Sequence, residues 1–344
     1  MIEPIYDELF SSWIYRGLHD LRSPVRQEHV MHMYEKIPLK CTGRSEYEDY
    51  DFDFYSPNTK VLLAQIKIPP EKAESIFGPA FHTPLDPRFR FSYCDLCLSE
   101  DFANGIRPAW RKSWCFVECP FCLKHSKLLL ISTSSRNFER AFWAHRIEYN
   151  WECAEDDGVF QYPTKWMLHS SEVRNEVGIK SQRWLLKILE VSSTQGGSNQ
   201  ESIASAVAAQ VLFALLLQVD CGIARYSFGG QRRRFFVRVN LRFIDRLRYG
   251  ARNSTPYQRM MAMILTAWIF DALTEQDLAA IQRCALEDDI EWPASLYELG
   301  AWIAPTVGRG EYQNLLSILC MPMLSEFVRE RLDPLLCGIK NTFT

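Results

Sequence analysis

The chain has 344 residues, of which 47% are hydrophobic and 13% aromatic, and these values exclude a largely disordered protein. The net charge of −3 excludes a protein that coats nucleic acid over its whole surface, so a nucleic-acid contact would need a local basic patch. Eleven cysteines are too few for a disulfide scaffold, and their odd number favours reduced thiols and a cytoplasmic protein.

Export and membrane insertion are not expected from this sequence. The N-terminal sequence MIEPIYDELF lacks the basic start and the apolar stretch of a signal peptide. The longest apolar run, residues 208–219, is too short to span a bilayer and predicts a buried helix.

The N-terminal part of the chain predicts mainly helices. Residues 3–22 place apolar side chains at helical spacing, and a second helix follows directly. Residues 41–60 contain the run EYEDYDFDFY and predict a solvated loop or edge, with a docking surface for a basic partner as the alternative. Residues 61–68 predict a strand or a short helix, and PEKAESIF after Pro69-Pro70 predicts another short helix.

The most informative stretch is residues 93–130. Two knuckles, Cys94-x2-Cys97 and Cys122-x2-His125, are separated by 24 residues. A two-residue gap lets two side chains of one tight turn reach a single tetrahedral ion, so the pattern predicts a zinc site. Four protein ligands would leave no open position for water, which favours a structural ion over a catalytic one.

Cys119 offers a second ligand set. Cys119-x2-Cys122 would complete a four-cysteine site and leave His125 outside it, and thiolates bind zinc well enough for either set. Otherwise Cys115 and Cys119 are small apolar residues of a short strand, WCFVEC. Spacing alone leaves both ligand sets open.

The second half of the chain is predicted to be helical. Residues 136–152 predict an amphipathic helix, and SSTQGGSNQ at 192–200 is a flexible linker that places a domain boundary there. Further helices are predicted at 200–220, 255–273, 274–287, 293–304 and 311–332. Thr274 with Asp277 matches a capping box, and Pro322 is expected to kink or split the last helix.

A basic stretch follows Gly229-Gly230. Here RRFFVRVN predicts a short basic β-hairpin or strand, and seven arginines fall within residues 232–248 against one acidic residue, Asp245. Guanidinium groups pair with phosphates and with carboxylates. The residues that we assign to nucleic-acid or partner binding are Arg232, Arg233, Arg234, Arg238 and Arg242. The alternative is a solvent-exposed face balanced by acidic neighbouring helices.

Three motifs together, YCDLCLSED, RPAWRKSW and CLKHSKLLL, resemble the core of the TniQ family, which includes TnsD. The matching positions are Cys94, Cys97, Leu98, Asp101, Arg111, Trp114, Cys122, His125 and Leu129. Trp114 lies eight residues before Cys122, and this register selects Cys122 and His125 as the second knuckle. The segment DELFSSWIYR is similar to the opening helix of the family, with Glu8, Ser12, Trp13 and Arg16 in place. The resemblance covers about residues 3–132.

The resemblance implies a target-selection protein of a heteromeric transposon, which does not itself cut DNA. Such proteins link target recognition to an AAA+ transposition regulator. Recognition comes either from DNA bound by the protein itself or from a CRISPR Cascade complex that carries a dimeric TniQ adaptor. The length and the net charge of −3 favour the adaptor, since direct readers of DNA need strong phosphate neutralisation. A second metal is not expected, because the stretch after the knuckles holds only His145 and Cys153.

We therefore expect a mainly α fold, in which an N-terminal helical segment carries an inserted zinc-finger module and a C-terminal helical domain carries a short basic β-hairpin or strand. The expected divisions are residues 1–135, a connector at 136–195, and 200–344. The expected function is a non-enzymatic adaptor in transposition with zinc as its cofactor. The alternatives are a direct, sequence-specific DNA binder and a zinc-dependent hydrolase.

Overall fold

The computed structural model describes residues 3–19, 25–26, 28, 49–80, 82–132, 140–146, 172–194, 200–219, 222–226 and 242–342. These residues are mainly helical, as predicted. The chain forms two compact units. Unit 1 comprises Met1–Phe116, Cys122–His125 and Leu129–Asp157, and unit 2 comprises Val117–Phe121, Ser126–Leu128 and Gly158–Thr344. The division expected from the sequence, at about residues 135 and 195–200, stays a prediction.

Unit 1 combines short helices with one small antiparallel sheet. Its helices are α1 (Phe10–Leu18), α2 (Pro57–Gln65), α3 (Pro70–Phe77), α4 (Asp95–Ala103) and α5 (Arg140–Arg146). Strands β1 (Ser92–Tyr93) and β2 (Leu130–Ile131) pair with Ser92 opposite Ile131 and Tyr93 opposite Leu130. The sequence left a strand or a short helix open for residues 61–68; residues 61–65 belong to helix α2, which ends at Gln65. The predicted second helix, after residue 22, lies largely outside the described residues.

Helix α1 is shorter than the sequence predicts at its N-terminal end. The prediction began at residue 3, whereas the helix begins at Phe10. Asp7 has a left-handed backbone with φ of 61°, and Glu8 forms an isolated antiparallel bridge with Arg111. Both features are incompatible with a continuous helix, so the segment before α1 forms a turn and an isolated bridge instead.

The described part of the predicted solvated loop at residues 41–60 forms turns up to Ser56 and then enters α2, but it is only partly exposed to solvent. Tyr50 and Phe54 are buried in an aromatic core with α1 and α3. Asp49 and Asp51 form ion pairs with Arg90, whose own side chain is only 1% exposed. The first carboxylates of the described acidic run therefore face a buried cation within unit 1. The positive charge of Arg90 offsets the cost of burying Asp49 and Asp51.

The described part of unit 2 is mainly helical, apart from its short segments at residues 117–121 and 126–128 and the turns between helices. Its helices are α6 (Glu172–Thr194), α7 (Gln200–Leu216), α8 (Ile223–Tyr226), α9 (Phe243–Arg252), α10 (Pro256–Ile269), α11 (Glu275–Glu287), α12 (Leu296–Ile303), α13 (Arg309–Leu319) and α14 (Glu326–Asn341). Every residue of α10 is buried, and this helix packs against α6 and α7. A capping box formed by Thr255 and Gln258 begins α10.

Local sequence signals set several helix ends in unit 2. The predicted capping box of Thr274 and Asp277 begins α11, with Asp277 N–H donating to Thr274 Oγ1 at 3.1 Å. The predicted break at Pro322 is confirmed, because α13 ends at Leu319 and α14 begins at Glu326. Proline at this place cannot supply the N–H that a continuous helix needs.

Helices α12 and α14 cross at two glycines. A Cβ at Gly300 would lie 2.1 Å from the carbonyl oxygen of Leu335, and one at Gly338 would lie 2.0 Å from that of Tyr297. Neither position leaves space for a side chain, so the close approach of the two helices depends on both glycines.

Helix α7 contains the apolar run that the sequence singled out. Its buried residues include Ala208, Leu212 and Leu216, as expected for a helix in the core of unit 2. Within the described parts of the chain, no helix combines the length and the apolar content that crossing a membrane requires.

Candidate metal centre

Two short turns in unit 1 carry the four predicted ligands. Strand β1 leads directly to Cys94, which is the N-cap of α4, and Cys97 follows in the first turn of that helix. The second turn holds Cys122 and His125, and its flanking residues Phe121 and Leu128 pair in an isolated antiparallel bridge. Each pair of ligands therefore lies within one short stretch of chain, at the start of a helix for Cys94 and Cys97 and in a bridged turn for Cys122 and His125, as the two-residue spacing requires.

The four side chains converge with distances that match tetrahedral coordination. His125 Nδ1 lies 3.4 Å from Cys94 Sγ, 3.3 Å from Cys97 Sγ and 3.6 Å from Cys122 Sγ. Cys97 Sγ lies 3.6 Å from Cys122 Sγ. Zinc bonds of about 2.3 Å to sulfur and about 2.0 Å to nitrogen, at tetrahedral angles, give sulfur–sulfur distances of about 3.8 Å and sulfur–nitrogen distances of about 3.5 Å. The cluster could therefore hold a metal ion without rearrangement.

The electrostatics of the three thiols also suit a cation. The hydrogen bond with Cys122 raises the pKa of Cys94 to about 11, and the hydrogen bonds with Cys94 and Cys97 lower the pKa of Cys122. The pKa of Cys97 is raised as well, by Cys122 and then by Cys94. Crowded thiols therefore resist full ionisation by themselves, and a bound divalent cation would stabilise the thiolates and release protons.

The position of Cys119 bears on the alternative ligand set. Cys119 is buried, but it does not belong to the described cluster, which comprises Cys94, Cys97, Cys122 and His125. The strand predicted for WCFVEC is wrong. Ser113–Cys115 form a 3₁₀ turn instead, and Phe116 pairs only through an isolated bridge with Pro84.

Asp101 and Arg111 form a buried pair beside the ligands. Arg111 Nη2 donates to Asp101 Oδ1 at 2.6 Å, and the backbone N–H of Ala109 donates to Asp101 Oδ2 at 3.0 Å. The Arg111 guanidinium also lies over the Trp114 ring, 5.9 Å from its centroid. Because Asp101 lies on α4 with Cys97, this pair connects the first knuckle to the segment that precedes the second one.

The start of the chain is attached to the same segment. Glu8 and Arg16 form a buried ion pair with Nε–Oε1 and Nη2–Oε2 distances of 2.7 and 2.8 Å. Trp110 N–H donates to Ser12 Oγ at 2.9 Å, and Leu9 N–H donates to the Trp110 carbonyl at 2.8 Å. The residues that carry the family resemblance are therefore structural links within unit 1.

Comparison with protein-family models, curated proteins and solved structures found no match for this chain. The family resemblance and the function that it implies stay predictions.

The predicted basic patch is described at only one of its five positions. Arg242 is the N-cap of α9, its side chain is 85% exposed, and its Nε donates to Asp245 at 2.9 Å. Arg232, Arg233, Arg234 and Arg238 lie outside the described residues, as does the predicted hairpin. The nucleic-acid or partner role of this patch stays a prediction.

Two contacts near the knuckles were missed by sequence reasoning. His125 Nε2 lies 3.0 Å from Glu100 Oε1, a contact that the two-residue spacing of the knuckles does not predict. In unit 2, the Gln182 side chain accepts from the N–H of Phe121 at 2.9 Å and donates to its carbonyl at 3.3 Å. The only signal for Glu100 was its place three residues after Cys97, and no local signal pointed to Gln182.

Burial shifts the pKa of two titratable groups of unit 1, Asp7 and His82. Burial raises the pKa of Asp7, although hydrogen bonds from Ser113 oppose the shift. Burial, together with the charge of Lys112, lowers the pKa of His82 to about 4, and the His82 ring stacks on Phe116 with centroids 4.7 Å apart. His82 is therefore neutral at physiological pH and acts as an aromatic packing residue.

Proposed function

We propose that this protein is a non-catalytic target-selection adaptor of a TniQ-type transposon, in which a zinc ion fixes a small binding module. The adaptor would link a target-recognition complex, such as CRISPR Cascade, to the AAA+ transposition regulator. One observation carries the proposal. The motif residues Asp101, Arg111 and Trp114 pack together beside the four-ligand cluster, which is what a shared structural motif would require.

The donor set supports zinc as the metal. Three thiolates and one imidazole are soft or borderline ligands, and the distances between them suit a small tetrahedral ion. When bound, zinc would supply a cross-link between the two turns that a loop-rich module of this size needs for stability. Four protein ligands leave no position for a reactive water, which supports a structural role and disfavours the hydrolase alternative.

Metal analysis tests the first part of the proposal. Purified protein should contain about one zinc per chain, and cobalt-substituted protein should show the absorption of a tetrahedral Cys₃His site. Cys122→Ser should lose the metal, whereas the matched variant Cys119→Ser should keep it. Equal metal content in both variants would exclude the assigned ligand set.

Reconstitution tests the adaptor role. The chain should co-purify with an AAA+ transposition regulator and with a Cascade complex from the same source, and Cys122→Ser should weaken this binding more than Cys119→Ser. Binding to neither partner would remove the adaptor function. Tight, salt-sensitive binding to one duplex sequence in its place would favour the direct DNA reader.

A further inference from the structure

The orientation of the His125 ring separates its two nitrogens. Nδ1 faces the three sulfur atoms at 3.3–3.6 Å, whereas Nε2 points away from them and lies 3.0 Å from Glu100 Oε1. A neutral imidazole carries one N–H, and the nitrogen that lacks the proton is the one with a lone pair for a metal. A carboxylate can only accept here, so this contact places the proton on Nε2 and leaves the Nδ1 lone pair directed at the sulfurs.

Glu100 is held in this place by its position on α4 and by an ion pair with Lys124. It follows Cys97 by three residues on α4, so the two side chains share one face of the helix. Its second oxygen pairs with the ammonium group of Lys124, the residue immediately before His125. The adjacent carboxylate, Asp101, faces inward to Arg111 and Ala109. Helix α4 thus presents two consecutive carboxylates with separate tasks.

We propose that Glu100 is the positioning residue of the metal centre, which fixes His125 in the Nε2–H tautomer and makes Nδ1 its ligating atom. The inference rests on the proposed zinc site and deepens it. Carboxylates that accept the free N–H of a ligating histidine orient the ring and increase its basicity, and their loss weakens metal binding by about 10- to 100-fold. Glu100 is 42% exposed, so its removal leaves the core of unit 1 intact.

Zinc release measures the effect. Zinc-loaded protein is mixed with excess chelator, and the release rate is followed with a chromogenic zinc indicator. We expect Glu100→Ala to release zinc about 10- to 100-fold faster than wild type. Lys124→Met, which keeps the contact between Glu100 and His125, should change the rate less than Glu100→Ala does. Glu71→Gln, an exposed charge change on α3, should leave the rate unchanged.

A double variant separates positioning from general electrostatics. In a His125→Cys background the carboxylate has no imidazole to orient, so adding Glu100→Ala should leave the release rate unchanged. An equal acceleration in both backgrounds would overturn the positioning role. NMR of the ring nitrogens of His125 in zinc-loaded wild-type protein should show Nδ1 bound to the metal and a proton on Nε2. Ligation through Nε2 would refute the inference.

These outcomes also distinguish the inference from the proposed function. If wild-type protein binds no zinc, the metal centre and the role of Glu100 both fail. If wild-type protein binds zinc and Glu100→Ala releases it at the rate of Glu71→Gln, the metal centre stands and the role of Glu100 is refuted.

Discussion

Removing the Asp101 carboxylate should destabilise unit 1 strongly. In Asp101→Ala the Arg111 guanidinium, only 11% exposed, loses its ionic partner, and the Ala109 N–H loses its acceptor. Breaking a buried ion pair from one side costs about 3–5 kcal/mol, and an unpaired buried N–H costs about 1–3 kcal/mol. Because the two contacts share one carboxylate, we expect a combined loss of about 4 kcal/mol.

Urea unfolding of zinc-loaded protein provides the assay. Metal release, followed with a chromogenic indicator at fixed total zinc, reports on the unit that holds the ligands. With a slope of about 2 kcal/mol per molar urea, a loss of about 4 kcal/mol lowers the midpoint by about 2 M. The companion variant Arg111→Met removes the charge of the guanidinium but keeps an unbranched side chain near Trp114.

A double-mutant cycle decides whether the pair itself carries the effect. Asp101→Ala with Arg111→Met should be less destabilising than the sum of the two single variants, by about 1–3 kcal/mol, because neither charge is then left unpaired. Additive effects, or a midpoint for Asp101→Ala within about 0.3 M of wild type, would refute the reasoning.

Three further predictions concern other parts of the fold. Gly300→Ala places a Cβ 2.1 Å from a carbonyl oxygen of α14 and should cost about 1–3 kcal/mol, measured by thermal unfolding. Gln182→Leu leaves the backbone N–H and C=O of Phe121 without their partner and should cost about 2–4 kcal/mol, measured by urea unfolding of unit 2. The wild-type protein should lose stability as the pH falls from 6.5 to about 4, because the imidazole of His82 binds a proton more readily in the unfolded state than in the folded state. His82→Phe should remove this loss. Partial solvent exposure limits this pH-dependent difference to about 1–2 kcal/mol.

Each of these has a matched comparison. Gly310→Ala, where a Cβ meets nothing within 4 Å, should be neutral or stabilising, and equal losses at both glycines would contradict the steric argument. Gln276→Leu on the exposed face of α11 should leave stability unchanged, unlike Gln182→Leu. For His82→Phe, the free energy of unfolding is measured from pH 7 to pH 4. If it changes with pH in parallel with that of wild type, the pKa of His82 does not differ between the folded and unfolded states.

Features set by neighbouring residues could be predicted from the sequence. The break at Pro322 and the capping box of Thr274 with Asp277 depend on backbone chemistry within one helical turn. The two knuckles follow the same principle, since each needs only a two-residue turn. Their convergence across 24 intervening residues was inferred from the chemistry of one shared ion.

Features that depend on distant partners could not be predicted. The acidic run near Tyr50 reads as solvated because Arg90, its buried counter-ion, lies about forty residues later in the chain. The segment before α1 has helical periodicity, but tertiary hydrogen bonds to residues 110–113 hold it in a non-helical turn. The tautomer of His125 likewise depends on a carboxylate from the other knuckle's helix. In each case long-range pairing outweighs local propensity.

The alternation of the two units along residues 117–128 constrains how the protein can be dissected. Val117–Phe121 and Ser126–Leu128 belong to unit 2, while Cys122–His125 between them belongs to unit 1. A fragment that begins after residue 132 would lack Phe121, whose backbone Gln182 binds, and a fragment that ends at residue 116 would lack the second knuckle. No single cut therefore yields both units whole. Truncation experiments on this chain would report misfolding as loss of function, and its activities are better assigned with point variants in the full-length protein.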